Sequence, residues 1–261
     1  MAEPIIEYYL PFEIPEENVD NILRTWLGTR SLAPGDLVEA SQITSIVNNY
    51  IPVYLYTAAA TGVYNGTKSV SYMDTETYTE YDSVSKSTVT RTRSVTRYRT
   101  VPVAGTIYLN FENEMVYGIQ HTQFMKLNAI RPYDFVNLQQ LQKGLPGNFI
   151  PFAIQETEGY QLFVEQVRTI LINDAIMREG GSANIFMDIP VLQVSNMVRA
   201  FIPVWEGAYK YKELEYPFVV NGRNGNIDSE YSKSAAKQAL LYLLIIGGCI
   251  ALLVFLGIIQ I

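Results

Sequence analysis

The sequence predicts an α+β protein: an antiparallel, β-rich domain with packed helices, joined to one C-terminal transmembrane helix. Three observations lead there. Residues 239–261 read ALLYLLIIGGCIALLVFLGIIQI, without one formal side-chain charge. Two stretches between residues 72 and 103 place acidic and basic residues on alternate positions, the period of a strand. Two others, at 16–28 and 156–178, repeat apolar residues every three to four positions, the period of a helix. The 19 tyrosines suit strands that carry aromatic side chains.

In chain order, residues 16–28 (EENVDNILRTWLG) set Val19, Ile22, Leu23, Trp26 and Leu27 at helical spacing. Glu16 and Glu17 favour the N-terminal end, and Gly28 can terminate it. Pro34-Gly35 then leads into a second predicted helix, from Asp36 to about Ile46. Three strands are expected between Tyr50 and Val103. The first, YIPVYLYTA, is apolar on both faces like an internal strand, although Pro52 demands an edge or a bulge. A short helix is expected from Asp134 to about Gln142, with Gly144, Pro146 and Gly147 marking a loop after it. Residues 156–178 read as a long helix with Leu162, Phe163, Val167, Ile170, Leu171 and Ile176 apolar, closed by Gly180-Gly181. Strands resume at Asn184. FIPVW at 201–205 echoes YIPVY at 50–54, so the soluble part could be two related halves, 1–125 and 126–232. NGRNG at 221–225 suits a hairpin turn, because Asn and Gly tolerate positive φ.

The charged stretches form the clearest pattern in the soluble part. Asp74, Glu76, Glu80 and Asp82 share one strand face, and Arg91, Arg93, Arg97 and Arg99 share another. SVSKS between them reads as a turn. An antiparallel register that pairs Glu80 with Arg91 and Asp74 with Arg97 aligns the charges. The four arginines are the candidate interaction residues, since such a cluster could meet phosphate or lipid headgroups. Opposed carboxylates neutralise it locally, which favours a structural hairpin.

Residues 239–261 would make a helix roughly 35 Å long, against a hydrocarbon core of about 30 Å. Fifteen of them are Leu, Ile, Val or Phe. At about −0.5 kcal/mol each, these contribute on the order of −7 kcal/mol towards insertion. Ala239, Leu244, Gly247, Gly248, Ala251, Phe255 and Ile261 mark the span. Arg223, Lys233 and Lys237 all lie on its N-terminal side, and MAEPIIEYYLPFEIPEE lacks the basic and apolar regions of a signal peptide. The expectation is a single-pass, tail-anchored cell-membrane protein with its N-terminal domain in the cytoplasm. Gly247 and Ala251, four apart beside Gly248, form a small face on which a second copy of the helix could pack.

The net charge of −7 and pI near 4.9 argue against a nucleic-acid partner. One cysteine, Cys249, and one histidine, His121, cannot supply a disulfide or a zinc set. No spacing matches a calcium loop, a phosphate-binding glycine loop, a zinc-protease helix or a nucleophile elbow. His121 has no nucleophile or paired carboxylate beside it. The pairs Glu16-Glu17 and Glu112-Glu114 could join a site only through the fold. The sequon Asn65-Gly66-Thr67 is idle in a cytoplasmic domain. No catalytic, cofactor-binding or metal residue is assigned. The expected function is a non-enzymatic adaptor or scaffold whose partners are the bilayer, other membrane proteins and further copies of itself. The alternatives are a structural protein of a viral or other membrane-containing assembly, and a membrane-bound hydrolase built from dispersed carboxylates.

The order of motifs resembles a family. WLGTRSLAPGDL, YIPVYLYTA, GVYNG, the charged hairpin ending in VPV, IRPYDF, FIPVW and YPFVVNGRNGNI together resemble bacterial and archaeal membrane proteins labelled TFIIB-type zinc-ribbon or helicase-like. The likeness covers about residues 8–232. This chain lacks the CxxC ribbon and any ATP-binding motif, and it has IPVYLY where that family favours PFW. The resemblance implies a role in membrane organisation or membrane stress, beside phage-shock-protein-A-like remodelling proteins or flotillin-like scaffolds. The last hairpin also looks like that of small inhibitory domains ending in YxVxVDGxTGxV.

Overall fold

The computed structural model describes residues 6–82, 86–120, 124–142 and 147–255. Its elements, in order, are β1 (Glu7–Tyr9), α1 (Glu16–Gly28), α2 (Leu37–Ala40), β2 (Gln42–Asp82), β3 (Ser87–Tyr117) and α3 (Phe124–Ala129). Then come β4 (Gln139–Gln140), β5 (Asn148–Phe149), α4 (Glu156–Arg178), β6 (Ala183–Tyr211), β7 (Leu214–Asn221), β8 (Ile227–Ser229) and α5 (Ala235–Phe255). The strands join in the order β3-β2-β6-β1-β4, with β5 on β2, β7 on β6 and β8 on β7.

The fold is sheet-rich with packed helices, and the sheet is mixed rather than purely antiparallel. β1 pairs in parallel with β6, and β5 in parallel with β2. The long pairings are antiparallel. Thr44 donates to the carbonyl of Ala208 at 3.1 Å and Ser195 to that of Thr57 at 3.0 Å, so β2 numbers rise as β6 numbers fall.

Four local expectations are corrected. The helix placed at 36–46 ends at Ala40, where Ser41 Oγ bonds back to the carbonyl of Leu37 at 2.5 Å. The run Ile43-Thr44-Ser45-Ile46-Val47 that follows is largely β-branched and extends into β2. The three strands between 50 and 103 are two, because β2 continues unbroken through Gly62 and Gly66. Both glycines sit under close neighbours rather than in a turn: a Cβ on Gly62 would meet Met187 Sδ at 2.7 Å. No helix forms at 134–142. Asp134 Oδ1 accepts from the Val136 N–H at 2.9 Å in a turn, and Gln139-Gln140 pairs with β1. The last helix begins at Ala235, four residues before the expected start.

The chain divides into two compact units that do not follow the halves 1–125 and 126–232. One contains residues 1–54, 117–155 and 198–261, the other residues 55–116 and 156–197.

In the first unit, α1 buries Val19, Leu23 and Leu27 against Trp205, Tyr209, Phe218 and Val220 of the β6–β7 hairpin. A second, aromatic core gathers Tyr9, Tyr50 and Phe201 with Phe12, Phe149 and Phe152. Tyr50 stacks on Phe149 with ring centres 4.3 Å apart.

Here one set of contacts occurs twice. Leu10 N–H donates to the Phe201 carbonyl at 2.9 Å, and Ile150 N–H to the Tyr50 carbonyl at 3.0 Å. The next ladder donors would be Pro203 and Pro52, which have no N–H, so both parallel strands stop there. Gly222 donates to the Pro203 carbonyl at 2.9 Å, and Gly118 to that of Pro52 at 2.7 Å. Gly222 in turn accepts from Glu13 and Ile14, while Gly118 accepts from Ala153 and Ile154. Trp205 Nε1 donates to the Ile14 carbonyl at 2.9 Å, and Tyr54 Oη to that of Ile154 at 2.7 Å. The segments involved read LPFEIPE at 10–16 and IPFAIQE at 150–156.

In the second unit, α4 buries Gly159, Phe163, Val167, Leu171 and Ala175, a strict four-residue stripe. Of the apolar residues expected on its face, Leu162 is exposed. Phe163 stacks on Tyr56 at 4.4 Å and meets Phe111 edge-on at 6.2 Å. Lys68 and Tyr64 of β2 both bond Glu179, one residue past the helix, at 2.8 Å.

Candidate functional site: the charged arm and the apolar helix

Lys68 marks where the second unit's sheet gives way to a two-stranded ribbon. Gly66 faces Asn184 and Ile185 at the start of β6, so beyond about residue 68 β2 keeps only β3 as a neighbour among the described residues. β3 closes the strand order and has no further strand on its outer side among the described residues. At about 3.3 Å per residue, the ribbon from residue 70 to 82 is roughly 40 Å long.

Its two faces differ. One carries the expected charges. Arg91 meets Glu80 at 3.2 Å, Arg93 meets Glu76 at 2.9 Å, and Arg97 meets Asp74 at 2.8 Å. The first and third of these are the pairs that the alternation predicts, and they fix the antiparallel register. Arg93 also lies over the Tyr78 ring at 5.4 Å, and Arg99 over that of Tyr72 at 5.8 Å. The opposite face alternates threonines with Met73, Tyr81 and Tyr98, which are 67%, 66% and 73% exposed. Neither face covers a core. Asp82 lies at the end of β2, and the turn residues 83–85 lie outside the described residues.

At the arm's base, Glu179 is held below its ordinary value of 4.5, first by the Lys68 ammonium and then by the Tyr64 hydroxyl. The Tyr64 hydroxyl is raised, first by its bond to Glu179. These groups dock the end of α4 on β2.

The other feature is α5. Its stretch Ala235–Leu253, 19 residues of mean hydropathy 1.9, is long and apolar enough to cross a membrane and buries none of its residues. Leu240, Leu243, Leu244, Ile246, Leu252 and Phe255 all stand exposed. Ala239, Leu244, Gly247, Gly248, Ala251 and Phe255 lie on this helix, while Ile261 lies outside the described residues. Among the described residues, nothing stands within 4 Å of a Cβ on Gly247 or Gly248. The helix start is tied down: Ser234 N–H bonds the Leu32 carbonyl at 2.8 Å, and Lys237 Nζ that of Ala33 at 2.7 Å.

Of the other candidates, Glu112 is exposed on β3, and the rest have structural roles or fall outside the described residues. His121 is among the latter. Glu16 and Glu17 occupy the first turn of α1, where the helix dipole favours acids. Glu114 accepts a bond from Gln166 of α4. A cleft of about 420 Å³ in the first unit is lined by Glu13, Asn137, Gln139 and Arg223, among others. Arg223 there pairs with Glu13, which neutralises it and staples the NGRNG turn to the segment before α1. Among the described residues, no three His, Cys, Asp or Glu side chains gather as a metal set would require. Sequence reasoning missed the length of the arm, whose only signal is an alternating pattern that outruns β6.

No protein-family model, curated protein or solved structure matches the chain. The family resemblance therefore rests on its motifs alone.

Proposed function

We propose that the chain is a single-pass protein of the cell membrane, with its N-terminal part on the cytoplasmic side, acting as a non-enzymatic scaffold. The observation that carries this reading is α5, an apolar helix of 21 residues that the other described residues leave uncovered. In water so much contiguous apolar surface is unfavourable, and lipid is the medium that satisfies it. The membrane-protein resemblance supports the same placement and a role beside membrane-remodelling proteins.

The matched contacts of Pro52 with Gly118 and Pro203 with Gly222 support two related halves that have exchanged their first strand and helix. α1 precedes β2 in sequence yet packs on β6 and β7. α4 precedes β6 yet packs on β2 and β3. On this reading the hairpin of one half turns at Lys212, whereas that of the other runs on into the arm. The packed cores do not require that extension, which favours a building-block role within a larger membrane-bound assembly.

The test of placement is extraction of membranes from cells expressing the full chain. Retention in the pellet at alkaline pH, with an N-terminal tag protected from protease in intact cells, is the expected result. Release into the supernatant defeats the anchor, and digestion of the tag defeats the cytoplasmic side.

A further inference from the structure

The arm offers two open backbone edges of opposite charge. Its β2 strand carries Asp74, Glu76, Glu80 and Asp82, and its β3 strand carries Arg91, Arg93, Arg97 and Arg99. Between residues 70 and 101 there are four acidic and five basic residues, in a chain of net charge −7. A two-stranded ribbon on its own is marginal in water, and its exposed ion pairs contribute little. Unpaired strand edges are templates for a further strand.

We propose that the arms of neighbouring copies pair edge to edge, the basic β3 edge of one against the acidic β2 edge of the next. The occupant follows from charge. Two β2 edges would set acids against acids, and two β3 edges arginines against arginines, both unfavourable across strands. Only the unlike edges complement each other, and each arginine row then lies between two acidic rows. Because β3 returns antiparallel to β2, an antiparallel contact between copies leaves both arms pointing the same way. Copies held in one bilayer by the same helix share an orientation, so this geometry is open to them. The contact is heterologous, and it builds a ring or a row rather than a closed pair. Anchoring raises the local concentration of arms, so a weak contact suffices. This inference deepens the scaffold reading and rests on it for that shared orientation and concentration.

The test is disulfide trapping, under a mild oxidant, between full-length chains co-expressed in one cell and kept in their native membranes, all carrying Cys249→Ser. One tagged population carries Thr77→Cys on β2, and a second, differently tagged, carries Thr92→Cys on β3. A disulfide between the two tags, with neither homodisulfide, is the expected result. Homodisulfides in its place, or no disulfide at all, overturn the proposal. A third chain exchanges the charges (Asp74, Glu76 and Glu80 to Arg; Arg91, Arg93 and Arg97 to Glu), which keeps every pair within the arm. With the same cysteines it should trap its own kind and lose trapping with the original chain. A disulfide between Thr77→Cys of one charge type and Thr92→Cys of the other also overturns the proposal. Alkaline extraction of the same cysteine chains reads anchoring separately: loss of trapping with membrane retention sinks only the arm contact, and release with trapping intact sinks only the anchor.

Discussion

Asn221 opens the NGRNG turn and is wholly buried. Its amide donates to the carbonyls of Ile130 at 2.9 Å and Pro132 at 3.1 Å, and its Oδ1 accepts from the Arg223 N–H at 2.8 Å. The residue therefore locks the turn to the loop before Tyr133, which local turn propensity does not reveal. Asn224 Nδ2 also donates to the Pro132 carbonyl at 2.9 Å, so Asn221→Ala chiefly costs the short bond to the Ile130 carbonyl and the acceptor of the Arg223 N–H, and a loss of about 1–3 kcal/mol is expected in urea unfolding. Gly66 makes a similar point. A Cβ there would collide with the Asn184 backbone carbonyl, whereas Gly35 has nothing within 4 Å. Gly66→Ala should cost about 1–3 kcal/mol and Gly35→Ala almost nothing, by the same measurement. Glu179 supplies a pH dependence. Its folded pKa is depressed, so its contribution is complete above the ordinary value of 4.5 and is lost as pH falls through the lower folded value. Glu179→Gln should flatten that acid limb of the stability curve, and an unchanged limb would remove Glu179 from the linkage.

At the scale of elements, local pattern located α1, α4 and the last hairpin but misplaced the helices expected at 36–46 and 134–142. α1 and α4 run from Glu16 and Glu156 as their apolar periods require, and β7–β8 flanks the Asn-Gly turn. The arm's register was legible because charges of opposite sign mark which residues face each other. Arg91→Glu and Arg97→Glu should each lower stability by up to about 1 kcal/mol, since the pairs are exposed. Restoring opposite charge with Glu80→Arg and Asp74→Arg should recover it in thermal melts of the full chain in detergent. Single reversals that leave stability unchanged yet abolish binding to anionic vesicles would reinstate the lipid-headgroup alternative. The short elements β1, β4 and β5 were not legible. Each owes its existence to a partner more than 90 residues away, such as β1 on β6 or β5 on β2.

For the whole molecule, the start of α5 belongs with the folded part, because Ser234 and Lys237 bond the carbonyls of Leu32 and Ala33. A chain ending at Gln238 should therefore be folded and soluble, while one ending at Ser232 loses those bonds and should melt a few degrees lower. Aggregation of the longer truncation would show that α5 is needed for folding. The sequence by itself determined the properties that depend on near neighbours. These are the apolar run that makes α5 capable of spanning a bilayer, the periods of α1 and α4, the last turn and the charge register of the arm. Tertiary structure alone decided that α1 and α4 pack on strands distant in sequence, that Gly62 and Gly66 lie within a strand, and where β6 stops and leaves the arm two-stranded. The reason is physical. A residue's period and charge are set along the chain, but pairing across a sheet depends on which distant segment supplies the next row of N–H and carbonyl groups.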